Sequence, residues 1–378
     1  MLPPRNAPGR RVLIFNHSYA IQFIDIANQY ARVFTEADDA VTVVYLTGCP
    51  NEEVRQKTLA KEVIFMDCPS RVTRGLKLAA IKKMIELQRK RAFDVVICHR
   101  YKPTYIMLWL ACFYRIPTFI AVMHELGTFK RLTRKLLLAC LAPKNLILAG
   151  VSRAVRDDLR QTVWRLPPGR VLTLYNMIDT QLTEPRFYTR VEAREKLQLS
   201  QEDFIFGTLG RLAKNKDQKT LIQAFALIKA HCPLAKLLIL GEGRLEAELK
   251  QVVHSLGLEE AVYFPGFVPD GFRYMKAFDT YVSSSIQEAF GRVLLEAMLA
   301  KLPTIATRVN GMPEVLGDTG TLVNPRNPEQ LAAAMLQAYT LSPLERQAFG
   351  LQGYKRATHE FSIPRFAEMM DGICSLNF

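Results

Sequence analysis

"DTYVSSSIQEAFGRVLLEAMLA" (residues 279–300) divides into two halves of different period. "DTYVSSS" reads as a short buried strand, and "GRVLLEAMLA" carries apolar residues at helical spacing. Glu288-Ala289-Phe290-Gly291 therefore occupies a strand-to-helix turn. The helix leaves its first amides, about residues 289 to 292, unpaired and partly positive, so a sugar hydroxyl or phosphate oxygen can accept from them. Glu288 can accept from further hydroxyls. Glu296 lies about one turn into the helix, too far from Glu288 to share a proton, so the two carboxylates suit different parts of one long ligand. A helix-terminal charge and an exposed helical glutamate would look the same, and these residues alone leave both readings open.

The same alternation runs through the chain. Strand-like runs "RVLIFN", "AVTVVYL", "VIFM", "DVVICH", "PTFIAVM", "LILAGVS" and "RVLTLYN" come first. "TLYNMIDTQLTEPRF" (173–187) reads as a linker. A second series follows: "FIFGTLG", "KLLILGEG", "VYFPGF", "DTYVSSS", "PTIATRV" and "GTLVNP". Intervening helical patterns such as "KTLIQAFALIKAH" imply parallel sheets with crossover helices. The expected fold class is α/β, with two Rossmann-like doubly wound domains whose strand carboxyl ends face each other across a cleft. We expect boundaries at 1–182 and 183–360, with a final helix, 361–378, crossing back to the first domain.

At 378 residues the chain suits two domains of ordinary size. Seven scattered cysteines without a C-x-x-C pair argue against a zinc site or disulfide framework. Up to residue 185 there are 28 Lys and Arg against 15 Asp and Glu, which holds nearly all of the net charge of +14. This half should seek an anionic partner. Its basic residues alternate with leucine, not with stacking aromatics, so no nucleic acid is expected. No leader is expected, because residues 1–10 run straight into a strand. "YIMLWLACFYRIPTFIAVM" (105–123) is broken by Arg115 and Pro117 and reads as a buried helix, a turn and a buried strand.

"GTLGRLAKNKDQKTLIQAF" places Gly210, Arg211, Lys214 and Lys216 between a strand and a helix starting near Asp217, where basic groups can meet a phosphate. Solvated lysines would give the same pattern. "LLILGEGRLEAEL" marks a second such turn, where Gly241 and Gly243 permit positive φ and close approach of a ligand. A plain tight turn explains it nearly as well, and the full dinucleotide signature is missing.

Together these segments resemble retaining glycosyltransferases of family 4, which have the GT-B fold. The hallmark E-x7-E is matched by Glu288 and Glu296. "GRLAKNKDQKTLIQAF", "LLILGEGRLEAEL", "VYFPGFV", "RVNGMPEV" and "GDTGTLVNPRNPEQLA" follow in the family's order over residues 205–335. The resemblance implies that Gly210, Arg211 and Lys216 hold the diphosphate of a nucleotide-sugar. Glu288 and the amides of Phe290 and Gly291 would position the donor sugar. Glu296 would bind ribose, while Gly241 and the turn containing Phe267 would border the base. In the first half, His124 looks like the family's histidine near the reacting sugar, with Glu125 behind it. Ser152 would cap a helix and Asn176 would fix a turn. The family's glycine pair after the first strand is replaced by His17, Ser18 and Tyr19, which would reshape the acceptor side. Ala289 replaces a usual glycine and demands an ordinary backbone conformation.

The implied activity is sugar transfer from a nucleotide diphosphate donor to a hydroxyl of a glycan or glycolipid, with anomeric configuration kept. Arg211, Lys216, Glu288 and His124 would be the catalytic set. No metal or other cofactor is expected, in keeping with the absence of a D-x-D motif. Domain closure would exclude water. The basic segments 71–91 and 129–142 mix Lys and Arg with leucine at helical spacing and suit an anionic membrane surface. A cytoplasmic enzyme, peripheral at the inner face of the inner membrane and serving lipopolysaccharide or other surface polysaccharide assembly, is the resulting expectation. A GT-B sugar-nucleotide epimerase and a non-catalytic sugar-nucleotide-binding scaffold are the competing ones.

Overall fold

The computed structural model describes residues 9–69 and 75–375, with only the backbone for residues 21–23. Residues 1–8, on which the expectation of no leader falls, 70–74, which overlap the basic segment 71–91, and 376–378, at the end of the expected last helix, lie outside the described residues. Two compact units are formed. One holds the chain up to Met177 and again from Ile363, and the other spans Ile178–Ser362.

The first unit is built on seven strands: β1 (Arg11–Asn16), β2 (Ala40–Tyr45), β3 (Glu62–Phe65), β4 (Val95–His99), β5 (Thr118–Met123), β6 (Leu146–Gly150) and β7 (Val171–Thr173). All pairs are parallel, in the order β3-β2-β1-β4-β5-β6-β7. Every residue of β4 and β6 is buried, as their continuous apolar runs require. The apolar stretch from residue 105 resolves into helix Tyr101–Ala111, buried on most of its surface, followed by β5. Helix Leu78–Arg91 buries Ala80, Met84 and Gln88, one face at four-residue spacing, and turns Lys82, Lys83, Arg89 and Lys90 outward.

The last helix, Ile363–Cys374, buries Ile363, Phe366, Ala367, Met370 and Ile373 on one stripe. It packs against helix Ile21–Thr35, where the Phe366 and Tyr30 rings meet edge to face at 4.7 Å.

The second unit holds β8 (Phe204–Leu209), β9 (Ala235–Leu240), β10 (Val262–Gly266), β11 (Thr280–Ser283), β12 (Thr304–Thr307) and β13 (Thr321–Val323). Their order is β10-β9-β8-β11-β12-β13, again parallel. Helices Gln218–Lys229 and Pro328–Thr340 pack side by side over a core that includes Phe206, Phe225, Ile239, Val282 and Met335. In each unit the strand order reverses beside the first strand, at β1/β4 and β8/β11. Doubly wound sheets open a crevice at such points.

The stretch 173–187 departs from the linker expected of it. It contains helix Thr180–Thr183, capped by Asp179 accepting from the Leu182 amide at 3.1 Å, and a 3-10 turn at Glu184–Arg186. The local capping residue, not apolar period, sets this structure. Ile178 donates to the Phe361 carbonyl at 2.8 Å and bridges Ser362, so the two ends of the second unit lie side by side.

One buried charge anchors the front of β11. Arg194 is fully buried and donates to the carbonyls of Ala277, Ser200, Gln201 and Asp203 at 2.8–3.0 Å. It also donates to Asp279 at 2.7 Å, which in turn accepts from Arg190 and from the Ile205 amide at 2.7 Å. Asp279→Ala would strand the guanidinium in the interior, and we expect a loss of about 3–5 kcal/mol in chemical denaturation. A loss under about 1 kcal/mol would refute this anchor.

Candidate functional site

In the second unit the connections leaving β8, β11 and β12 converge at the carboxyl edge of the sheet. The Asn215 carbonyl accepts from the Ile286 amide at 2.9 Å, and Ser284 Oγ donates to the Lys216 carbonyl at 2.9 Å. The Glu288 carbonyl accepts from the Gly311 amide at 3.1 Å, and the Glu288 amide donates to Asn310 Oδ1 at 3.3 Å. This stitching brings Lys216 Nζ onto the Glu288 carboxylate as a partly buried ion pair. Lys216 also passes over Gly210, where an added Cβ would lie 3.7 Å from its Cε. Arg211 is exposed beside them and has no ion pair among the described residues.

The helix after β11 lies within the expected "GRVLLEAMLA". It spans Arg292–Leu299, with Gly291 as its N-cap at φ +96°. The first helical bond runs from the Leu295 amide to the Gly291 carbonyl. The amides without an intrahelical acceptor are thus those of Gly291, Arg292, Val293 and Leu294, which meets the expected range at Gly291 and Arg292 and moves the rest two residues on. Phe290 and Gly291 precede the helix. The Phe290 ring is buried against Phe361 at 5.5 Å, so only its backbone can serve a ligand. A side chain on residue 291 would meet Met312 Sδ at 2.6 Å as well as an unfavourable φ, which explains the glycine. Ala289 keeps an ordinary backbone conformation.

The β9 turn corrects the glycine argument. Gly241 has φ +133°, and a Cβ there would strike the Gly210 carbonyl oxygen at 2.1 Å. Gly243 has no positive φ; it is needed for close approach to the Leu212 backbone. These glycines let neighbouring loops pack, a demand internal to the protein. Beyond β10, Phe267 is exposed. Pro265 and Val268 line a hollow of about 390 Å³ with Lys196, Tyr263, Phe264 and Tyr274.

Glu296 is partly exposed on the helix, and burial of its carboxyl raises its pKa to about 7 against the pull of Arg292. Tyr281 on β11 is buried. Its phenol is pushed well above its ordinary range by that burial and then by Glu288 and Glu296, so both carboxylates act on one point. Tyr281, Arg292 and Asn310 escaped the reading of the sequence. The four-residue spacing of Arg292 and Glu296 was the available signal.

In the first unit, three histidines mark the carboxyl ends of three adjacent strands: His17 after β1, His99 ending β4 and His124 after β5. His99 Nδ1 lies 3.0 Å from His124 Nε2. Burial lowers the His17 pKa to about 4, helped by Lys102 and Arg100, and that of His99 to about 3. His124 falls well below its ordinary value through burial, His99 and Arg100. Glu125 pairs with Arg100 at 3.0 Å. Ser18 is partly exposed, and the Tyr19 ring packs on Tyr45 and Phe65 at 5.9 and 5.7 Å. Ser152 accepts from the Val155 amide at 3.1 Å as a helix cap. Asn176 is buried, but its Oδ1 accepts no hydrogen bond among the described residues, so it fixes no turn through that atom. Among the described residues no group of three or more His, Cys, Asp or Glu is arranged to hold a metal ion.

The Glu296 shift has a sign that can be checked. Its folded pKa lies above the unfolded value of 4.5, so the folded chain binds the extra proton between pH 4.5 and about 7. Stability from this group is full below pH 4.5 and falls by up to about 1.4 kcal/mol per pH unit as pH rises through that window. Glu296→Gln removes the loss. We expect its melting temperature to exceed that of the parent at pH 8 and to match it at pH 4.5; equal differences at both values would contradict the assignment.

Comparison with known proteins agrees with this fold. Residues 189–356 match the model described as glycosyl transferases group 1, and residues 26–182 match glycosyltransferase family 4. The chain is 28% identical over 292 residues to the Campylobacter jejuni N-acetylgalactosamine-N,N'-diacetylbacillosaminyl-diphospho-undecaprenol 4-alpha-N-acetylgalactosaminyltransferase, covering 73% of this chain and 77% of that one. A Rickettsia africae glycosyltransferase superposes with a TM-score of 0.84 at 17% identity, over 97% of this chain and 98% of the other. Anabaena HepE, solved in complex with UDP, gives 0.79 at 20% identity over 97% and 100%. Two parallel-sheet units, a paired E-x7-E glutamate and two matching family models thus place the chain in glycosyltransferase family 4, with the GT-B fold.

Proposed function

We propose that the protein transfers a sugar from a nucleotide diphosphate donor to a hydroxyl of a glycan or glycolipid, with retention of anomeric configuration and without a metal. The observation that carries this reading is the Lys216–Glu288 pair, held by backbone bonds between two connections at the switch point of the second sheet.

Glycosidic bond breakage moves negative charge onto the departing diphosphate. A cation fixed beforehand stabilises that charge more than the ground state, without reorganisation at the moment of reaction. Lys216 is such a cation, and Arg211 stands exposed at the same rim. Glu288 holds the lysine and accepts from sugar hydroxyls, and Glu296 accepts from the ribose. The two glutamates have binding roles here, so transfer proceeds on one face, with the leaving phosphate taking the acceptor's proton. His124, neutral through burial, offers hydrogen bonds to the reacting sugar.

The C. jejuni relative is named for a diphospho-undecaprenol acceptor, and HepE was solved with UDP. The first supports a lipid-linked acceptor and the second a uridine diphosphate sugar as donor. No described helix is long and apolar enough to cross a membrane. The first unit nevertheless exposes Leu76, Leu78, Leu132 and Leu136, with Lys77, Lys130, Arg131 and Arg134 beside them in sequence. Apolar side chains among cations favour an anionic bilayer surface, which supports a peripheral position at the inner face of the inner membrane.

The donor assignment predicts that UDP-sugars raise the melting temperature, with GDP- and ADP-sugars as the other arms of the screen. Lys216→Ala should abolish the shift and lower kcat about a hundredfold, equivalent to about 3 kcal/mol of barrier. No stabilisation by any of the three would overturn the donor site. For the membrane surface, Leu132→Ser with Leu136→Ser should reduce co-sedimentation with phosphatidylglycerol vesicles while leaving the UDP-sugar shift intact. Unchanged sedimentation would remove these leucines from the interface.

A further inference from the structure

The contact between His99 and His124 has no place in the mechanism above. His99 is 2% exposed at the end of β4, and the Arg100 amide after it donates to the Val122 carbonyl of β5 at 2.8 Å. This backbone bond fixes the two strand ends side by side and sets His99 Nδ1 3.0 Å from His124 Nε2. Behind His99, the fully buried Tyr30 ring stands at 89° with centroids 4.6 Å apart, and Phe366 of the last helix packs on Tyr30. Phe366, Tyr30, His99 and His124 thus form a continuous row within the first unit.

A neutral imidazole carries one proton, so only one of the two facing nitrogens donates. His99 Nε2 is buried and has no hydrogen-bond partner among the described residues. A buried N–H without a partner is rarer than an under-used acceptor, so His99 carries its proton on Nδ1 and donates it to His124 Nε2. His124 must then hold its own proton on Nδ1, and that N–H becomes the one donor it can offer a ligand.

We propose that His99 is a positioning residue, which sets the tautomer and ring orientation of His124 so that His124 presents Nδ1–H to the sugar. The first part stands on the first unit alone; the last step rests on the reading of His124 as a sugar contact.

The test uses full-length protein with 15N-labelled histidine and long-range proton–nitrogen correlation at pH 7.5, the His124 signals being assigned by their loss in His124→Asn. The expected result is His124 protonated at Nδ1 in the parent. His99→Leu should lose that single tautomer, and His99→Asn, whose amide nitrogen takes the place of Nδ1, should restore it. With the donor sugar identified by thermal shift, His99→Leu should lower kcat about tenfold to a hundredfold with the donor KM within about twofold, and His99→Asn should recover most of the rate. His99→Gln places its amide near Nε2 and should not. If His99→Leu does not fold, the Asn and Gln variants decide.

A parent His124 protonated at Nε2, or a His99→Leu variant with parental tautomer and rate, overturns the proposal. A His124→Ala variant that turns over like the parent would remove His124 from sugar transfer. The nitrogen spectra would still report whether His99 sets its tautomer.

Discussion

The site in the second unit depends on keeping a lysine and a glutamate from different connections within contact. Neither side chain is fully buried, so the pair is a weak source of stability, as ion pairs of this exposure usually are. Its placement comes from the backbone. The Asn215 and Glu288 carbonyls accept from the Ile286 and Gly311 amides, and the Lys216 carbonyl accepts from Ser284 Oγ, which fixes where each side chain leaves the main chain. A charge held in this way needs little reorganisation when negative charge builds on a leaving group, which is where electrostatic catalysis gains most.

Glycine serves the same end from beneath. Gly241 lets its loop lie against the Gly210 carbonyl, and Gly291 turns the chain so that the helix starts after Glu288 and not before it. Farther back, Arg194 and Asp279 tie the entry of β11 to the segment that precedes β8. The glutamate is thus fixed at the near end by loop stitching and at the far end by a buried charge.

The first unit uses burial differently. Its histidines stand at strand ends where burial disfavours their charged forms. The last helix belongs to this unit and backs the row that ends at His124. Its partner ring, Tyr30, lies more than 300 positions away in the chain, so no local pattern could have announced the contact.

Much of the fold was legible because strand and helix periods are local. The apolar runs located all thirteen strands of the described residues, and the alternation with helices required parallel sheets. E-x7-E and the loops around it marked the family, since spacing along one connection survives in the sequence. What was misread has a common cause. Which amides the helix after β11 leaves unpaired turns on one left-handed glycine, the role of Gly243 turns on a neighbouring carbonyl, and the short helices at 180–186 turn on a single cap. The sequence by itself determined the two α/β units, the basic first half and the residue types at the switch points, because these follow from period and composition. Only the tertiary structure decided that Lys216 meets Glu288, that Tyr281 feels both glutamates and that His99 faces His124. The Lys216–Glu288 and His99–His124 contacts join separate connections, and their geometry is set by how the strands lie in the sheet.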